Sequence, residues 1–346
     1  MRAIVLEEPK KLVLKQLEIP EPGENEVLIQ VKAVGLCGSD IHYYEHGKIG
    51  DFIVEKPIIL GHEASGEIVK AGKGVVHLQQ GQRVTIEPGA TCGKCEHCQN
   101  GRYNLCEKVE FLATPPYDGA FCEYVVMRSD LVFPIPDQMS YETAALIEPF
   151  SVGLHAVSRG NLQEGETVLI LGMGPIGLMT AAAAKLHGAG VIIGVDLEDS
   201  RLEKAKEMGA THVINIRTDS VDDKIMEYTK RRGVDVAIET AGSPAALKSM
   251  IAAVRRGGRA VIVGMSPEDE SPLNIAQIIN KEIDVKGVFR YHHTYPKAIE
   301  LLSSGKVNIE RMITDSYELE QAEEAFEKSI HDKQNTLKMM IYPNGR

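Results

Sequence analysis

The sequence predicts an α/β protein in which a doubly wound parallel sheet accompanies a second, β-rich domain. Two observations point there. From roughly 165 to 288, short apolar strands without a polar face alternate with helical stretches, as in a parallel sheet covered on both faces. Before about residue 150, short strands are broken instead by Pro and Gly groups such as IPEPGENE and EPGA. At 346 residues the chain also exceeds what one core usually accommodates.

Taken in order, the first strands are MRAIVL, KLVLKQL, EVLIQVKAVGL, ASGEIVKAG, RVTI and AFCEYVVM. The parallel sheet is expected from TVLIL, GVIIGVD, HVINI, VDVAIET, RAVIVG and IDVKGV. Residues 167–184 carry no charge and approach spanning length, but a Gly-x-Gly-Pro turn interrupts them. A buried strand feeding a buried helix accounts for them better than a membrane span. SRLEKAKEMG reads as a helix with Ser200 or Asp199 as N-cap and Gly209 as C-cap. The tail offers two helices, PKAIELLSSG and EQAEEAFEKSI, and a last strand, LKMMIY. Lys plus Arg number 38 against 49 Asp plus Glu, a formal charge of −11, which argues against nucleic-acid or anionic-membrane partners. MRAIVLEEPKKLV lacks a long apolar segment behind a basic start, so a cytoplasmic location is expected.

Gly172-Met-Gly174-Pro175-Ile176-Gly177 follows one apolar strand and opens a helix, with Asp196 at the end of the next strand. In that context the glycines serve a tight turn, close approach of a pyrophosphate, and helix–strand packing. Asp196 can accept hydrogen bonds from both adenosine ribose hydroxyls and repels a 2′-phosphate, so NAD is expected. Arg201, five residues later, is expected along the adenosine edge.

Cys92, Cys95, Cys98 and Cys106 supply four thiolates at the spacing of a closed, structural zinc site. His97 is a possible substitute ligand, but the four sulfurs already complete a shell. No strand is expected in that loop, so the metal would supply its order. A second constellation is scattered. Cys37 sits in GLCGSD and His62-Glu63 in ILGHEASG, which together offer a sulfur, an imidazole and a carboxylate and leave one zinc position open. Glu148 interrupts an apolar run, AALIEPFSV, where a carboxylate is costly without a partner. It reads equally as a site residue or as a helix-start acid.

These motifs are recognisable together. GHE-x2-G-x5-G in Gly61–Gly72, the Cys37 motif, the four-cysteine lobe and GMGPIG resemble the zinc-containing medium-chain dehydrogenases from end to end. FLATPPYDG (111–119), IEPFSVGLHA (147–156) and GVFRY (287–291) are similar to the polyol (sorbitol, L-iditol) dehydrogenase branch. The resemblance implies a GroES-like catalytic domain over 1–150 with its zinc lobe at 88–110, a Rossmann domain over 151–287, and a return to the catalytic domain over 288–346. It further implies NAD-dependent oxidation of a polyol to a ketose, one catalytic and one structural zinc, and a homotetramer. Cys37, His62 and Glu63 would bind the catalytic zinc, and Glu148 would touch it directly or through water. Tyr43, Glu148, Arg290 and Tyr291 match substrate positions of that branch. Ser39 and His42 match the proton-relay spacing of the wider family. Ile176, Asp196, Arg201, Val263, Met265, Val288 and Arg290 match its NAD contacts. L-threonine 3-dehydrogenase, another secondary-alcohol dehydrogenase, a non-zinc quinone reductase and a non-enzymatic zinc and nucleotide binder are the alternatives. With a thiolate, a carboxylate and Glu148 around one Zn²⁺, the catalytic site is expected to be net negative, with an alkaline rate optimum.

Overall fold

The computed structural model describes residues 1–266 and 270–346. The chain forms two compact units, one of residues 1–148, 295–303 and 310–346, the other of residues 149–294 and 304–309. Among the described residues no helix is long and apolar enough to cross a membrane, and the uncharged stretch divides into the strand Thr167–Leu171 and the helix Pro175–Leu186.

The first unit is built on a sheet that runs Val132–Pro134, Arg83–Ile86, Glu63–Ala71, Glu26–Gly35, Lys338–Tyr342 and Ile313–Glu318, with Tyr124–Arg128 also paired to Glu26–Gly35. Its core gathers Ile29, Val31, Ile68, Val84, Ile86 and Phe121, all effectively inaccessible. Removing such side chains from water is the main force holding the sheet together. Two details differ from the sequence expectation. In AFCEYVVM only Tyr124 to Met127 join the ladder, which continues to Arg128; Phe121 turns into the core and Cys122 makes one isolated bridge to Ala3. The strand Ile313–Glu318 was not anticipated. It alternates half-buried and exposed residues, and ITDSYE has no apolar run to announce it. Its parallel pairing with Lys338–Tyr342 determines its conformation.

The second unit holds a six-stranded parallel sheet in the order His212–Asn215, Val191–Asp196, Thr167–Leu171, Val234–Glu239, Val254–Ile262, Asp284–Gly287. Each strand overlaps one of the expected runs, but Val254–Ile262 starts five residues before RAVIVG, and Asp284–Gly287, at the sheet edge, is largely exposed rather than buried. The order reverses between Thr167–Leu171 and Val234–Glu239, the crevice where doubly wound sheets bind dinucleotides. The helix Asp199–Met208 starts one residue earlier than its expected caps: Glu198 is the N-cap, without a side-chain bond. The cause is Asp196, whose Oδ1 accepts the Leu197 and Glu198 amides at 2.8 and 3.0 Å and holds Glu198 extended ahead of the first turn. Gly209 closes the helix with a positive φ, as expected.

Candidate active site

Strand order assembles the scattered constellation. Glu26–Gly35 lies between Glu63–Ala71 and Lys338–Tyr342, with Gly35 opposite Glu63 on one side and Met340 on the other. A Cβ at Gly35 would fall 2.1 Å from Glu63 Oε2, so only glycine leaves room for that carboxylate. Just beyond the strand, Cys37 caps the helix Gly38–His46, and His62 immediately precedes the Glu63 strand. The ligand atoms of Cys37, His62 and Glu63 all lie within 4.8 Å of one another. That spacing suits one ion held by a thiolate, an imidazole and a carboxylate.

Two buried charges support this group, and the sequence reading did not identify either. Asp40 accepts the Cys37 amide on Oδ2 (3.0 Å) and the Gly61 amide on Oδ1 (2.9 Å), and Oδ1 stands 3.7 Å from His62 Nδ1. Burial disfavours charge on His62, but Asp40 and Cys37 outweigh it and hold the imidazole pKa well above its usual value. Only the spacing Cys-x-x-Asp at a helix start, a capping arrangement, could have pointed to Asp40. Lys338 is the second. Its Nζ donates to Glu63 Oε1 and Oε2 at 2.7 and 2.8 Å and to the Leu36 carbonyl at 3.0 Å. Burial lowers its pKa, yet Glu63 and Cys37 raise it further, and the ammonium stays charged. This cation offsets the charge that Asp40 adds, so the expected sum over zinc, Cys37, Glu63 and Glu148 keeps its negative sign. No local motif around LKMMIY signals Lys338.

Glu148 is buried in the first turn of the helix Ile147–Arg159, and its field reaches both Lys338 and Glu87. It stands outside the three-ligand group. Ser39, His42 and Tyr43 share the helix Gly38–His46: Tyr43 is buried, Ser39 half-buried and His42 exposed against the edge of His46. No hydrogen bond joins Ser39 to His42 among the described residues.

The four-cysteine lobe forms locally. Cys95 and Cys98 sulfurs are 3.5 Å apart and Cys92 and Cys98 sulfurs 4.0 Å, which brackets the ~3.8 Å edge of a tetrahedron with Zn–S bonds of about 2.3 Å. The Lys94 and Cys95 amides pull the Cys92 thiol down to about 6, whereas burial pushes Cys98 up to about 11. Short strands flank the loop at its base, where Gly89–Ala90 pairs with Glu110–Phe111. Tyr103 donates to Glu87 Oε1 at 2.7 Å, and burial raises the Glu87 carboxyl to about 7.

In the second unit Gly172 has φ +95° and ends its strand, and Gly174 caps the helix that Pro175 opens. A Cβ at Gly177 would sit 1.8 Å from the Gly172 carbonyl, whereas one at Gly174 would meet open space, the room a pyrophosphate needs. Asp196 Oδ2 accepts the Met173 amide at 2.7 Å, fixing the turn, and Arg201 Nη1 lies 3.9 Å away. Ile176, Val263, Val288 and Arg290 are half-buried, Met265 is exposed and Tyr291 is buried. The Arg290 guanidinium stacks 4.9 Å from the Phe289 ring centre.

Residues 23–137 match the family model "Alcohol dehydrogenase GroES-like domain" and residues 175–304 the model "Zinc-binding dehydrogenase". The chain is 56% identical over 344 residues to a sorbitol dehydrogenase of Bacillus subtilis (strain 168), covering 99% of this chain and 98% of the relative. It is 45% identical to sorbitol dehydrogenase of Bos taurus, covering 98% and 95%. Among solved structures, an Escherichia coli oxidoreductase/dehydrogenase of unknown specificity superposes with a TM-score of 0.95 at 39% identity, covering 99% and 98%.

Proposed function

We propose a division of labour among these residues for a chain that belongs to the zinc-containing medium-chain dehydrogenases, in the sorbitol dehydrogenase branch. The protein is an NAD- and zinc-dependent polyol dehydrogenase that oxidises a polyol to the corresponding ketose. The observation that carries the residue assignment is the thiolate, imidazole and carboxylate gathered within 4.8 Å.

Cys37, His62 and Glu63 would hold the catalytic zinc and leave a fourth position for substrate. When bound, zinc supplies Lewis acidity toward a substrate hydroxyl, and NAD supplies the hydride acceptor. Asp40 favours the His62 tautomer with its proton on Nδ1, leaving Nε2 for the metal. Lys338 neutralises part of the carboxylate charge and fixes the Glu63 rotamer. Glu148, outside the ligand set, takes up the hydroxyl proton through water and passes it outward, with Ser39 and His42 as a second route. Tyr43, Arg290 and Tyr291 hydrogen-bond hydroxyls beyond the reacting carbon; an aliphatic alcohol would leave such donors unpaired. Cys92, Cys95, Cys98 and Cys106 brace their loop around the structural zinc. Gly172, Gly174 and Gly177 cradle the cofactor phosphates at the start of the Pro175 helix. Asp196 accepts the ribose hydroxyls beside Arg201, and Ile176, Val263, Met265, Val288 and Arg290 line the rest of the cofactor. We assign the working form to a homotetramer in the cytoplasm, which light scattering and fractionation test.

The decisive experiment is an NAD-reduction screen across sorbitol, L-iditol, xylitol and L-threonine, with zinc measured per subunit. Polyol-dependent NADH formation that disappears when the Cys37 site is emptied supports the assignment. Full activity with zinc only in the cysteine lobe overturns it.

A further inference from the structure

Glu239 ends the strand Val234–Glu239, beside Thr167–Leu171 at the reversal of strand order. Asp196, at the end of the neighbouring strand on the other side, marks the adenosine ribose, and Gly172–Gly177 marks the pyrophosphate. The nicotinamide half therefore falls on the Glu239 side of the crevice. The carboxylate is wholly inaccessible. Oε1 accepts the Ala241 and Gly242 amides, each at 2.7 Å, while Oε2 has no hydrogen-bond partner among the described residues. The Glu239 carbonyl accepts the Val263 and Gly264 amides at 2.9 and 3.1 Å. One residue thus ties the 239–243 turn to the 263–265 segment. Those segments touch backbone to backbone, since a Cβ on Gly264 would lie 2.2 Å from the Gly242 nitrogen.

A neutral side chain could accept the same two amides without the cost of burying a charge. Burial holds the Glu239 pKa above the usual carboxylate value although backbone amides oppose the rise, and no charged side chain is among the strongest influences, so a nearby positive charge would favour the ionised form. The oxidised nicotinamide ring is positive and the reduced ring is neutral. We propose that Glu239 is a specificity-determining residue whose negative charge favours binding of NAD⁺ over NADH. It acts through its field rather than by contact, and the inference rests on the NAD assignment above.

The test is calorimetric titration of the zinc-loaded protein with NAD⁺, NADH and ADP-ribose, in wild type and Glu239→Gln. The expected result is a Kd for NAD⁺ raised roughly tenfold, with NADH and ADP-ribose changed by less than about twofold. Equal weakening of all three makes Glu239 a loop brace and overturns the inference, as does no change in any. Should Glu239→Gln fail to fold, Glu239→Asp keeps the charge and is expected to preserve the wild-type ratio of the two nucleotide affinities; a lost preference overturns the inference. Wild-type protein that binds neither nucleotide overturns the NAD assignment and this inference with it.

Discussion

The two metal constellations of the first unit are built by opposite means. In the lobe, four cysteines within fifteen residues meet because the loop is short, and a ribbon of two short strands closes its base. In the open site, Cys37, His62 and Glu63 meet because three strands lie side by side, and the charge that steadies Glu63 comes from Lys338, 275 positions away. A local cluster carries its own scaffold. A distributed one borrows the fold, so its supporting residues are chosen by topology and leave no motif.

That contrast predicts different responses to damage. His62→Ala is expected to cut polyol oxidation by more than about a thousandfold and to lower zinc from about two to about one per subunit; metal analysis beside circular dichroism checks that the fold survives. Glu148→Gln is expected to lose roughly a hundredfold or more in kcat while keeping both metals. If zinc leaves with the carboxylate, Glu148 is a ligand and the site is not the three-residue group described. Lys338→Met strands the Glu63 charge, and the zinc-free protein should lose about 3–5 kcal/mol of stability in denaturant titration. Added zinc should recover much of that loss, whereas a lost packing contact would persist with or without metal.

The lobe should respond more mildly. Cys95→Ser is expected to release the lobe zinc and open residues 92–106 to limited proteolysis, with the polyol rate within about tenfold of wild type. The smallest effect concerns its anchor. Glu87 has a folded pKa of about 7, above its unfolded value, so the folded state holds its proton longer. Its contribution is therefore present at low pH and is lost as pH climbs from the ordinary carboxylate range through about 7. The loss should amount to roughly 1–3 kcal/mol and flatten in Glu87→Gln, as read from melting curves across that window.

The same division explains what the sequence disclosed. Strands such as TVLIL are apolar throughout because both faces are covered, so the central parallel strands were readable. Gly172 and Gly177 were readable because a side chain would violate a steric demand at each, and Gly174 because it leaves the open space a pyrophosphate needs. ITDSYE escaped because its conformation is imposed by a neighbour rather than by its own pattern. Asp40 and Lys338 escaped because a single charged residue in a sequence looks the same whether it faces water or closes a metal site. The N-cap of Asp199–Met208 was misplaced for a related reason: Asp196 reaches forward to hold the turn, and that bond cannot be inferred from the cap residues alone.

The Lys338 contact also sets a schedule. Leu36 and Lys338 are joined across 302 positions, so a ribosome must make the whole nucleotide-binding unit before the cation can reach a site begun at Cys37. During that interval a nascent Glu63 has no counter-charge from this chain. Metal captured early would take over that task, and zinc supply during synthesis would then govern how much of the enzyme matures.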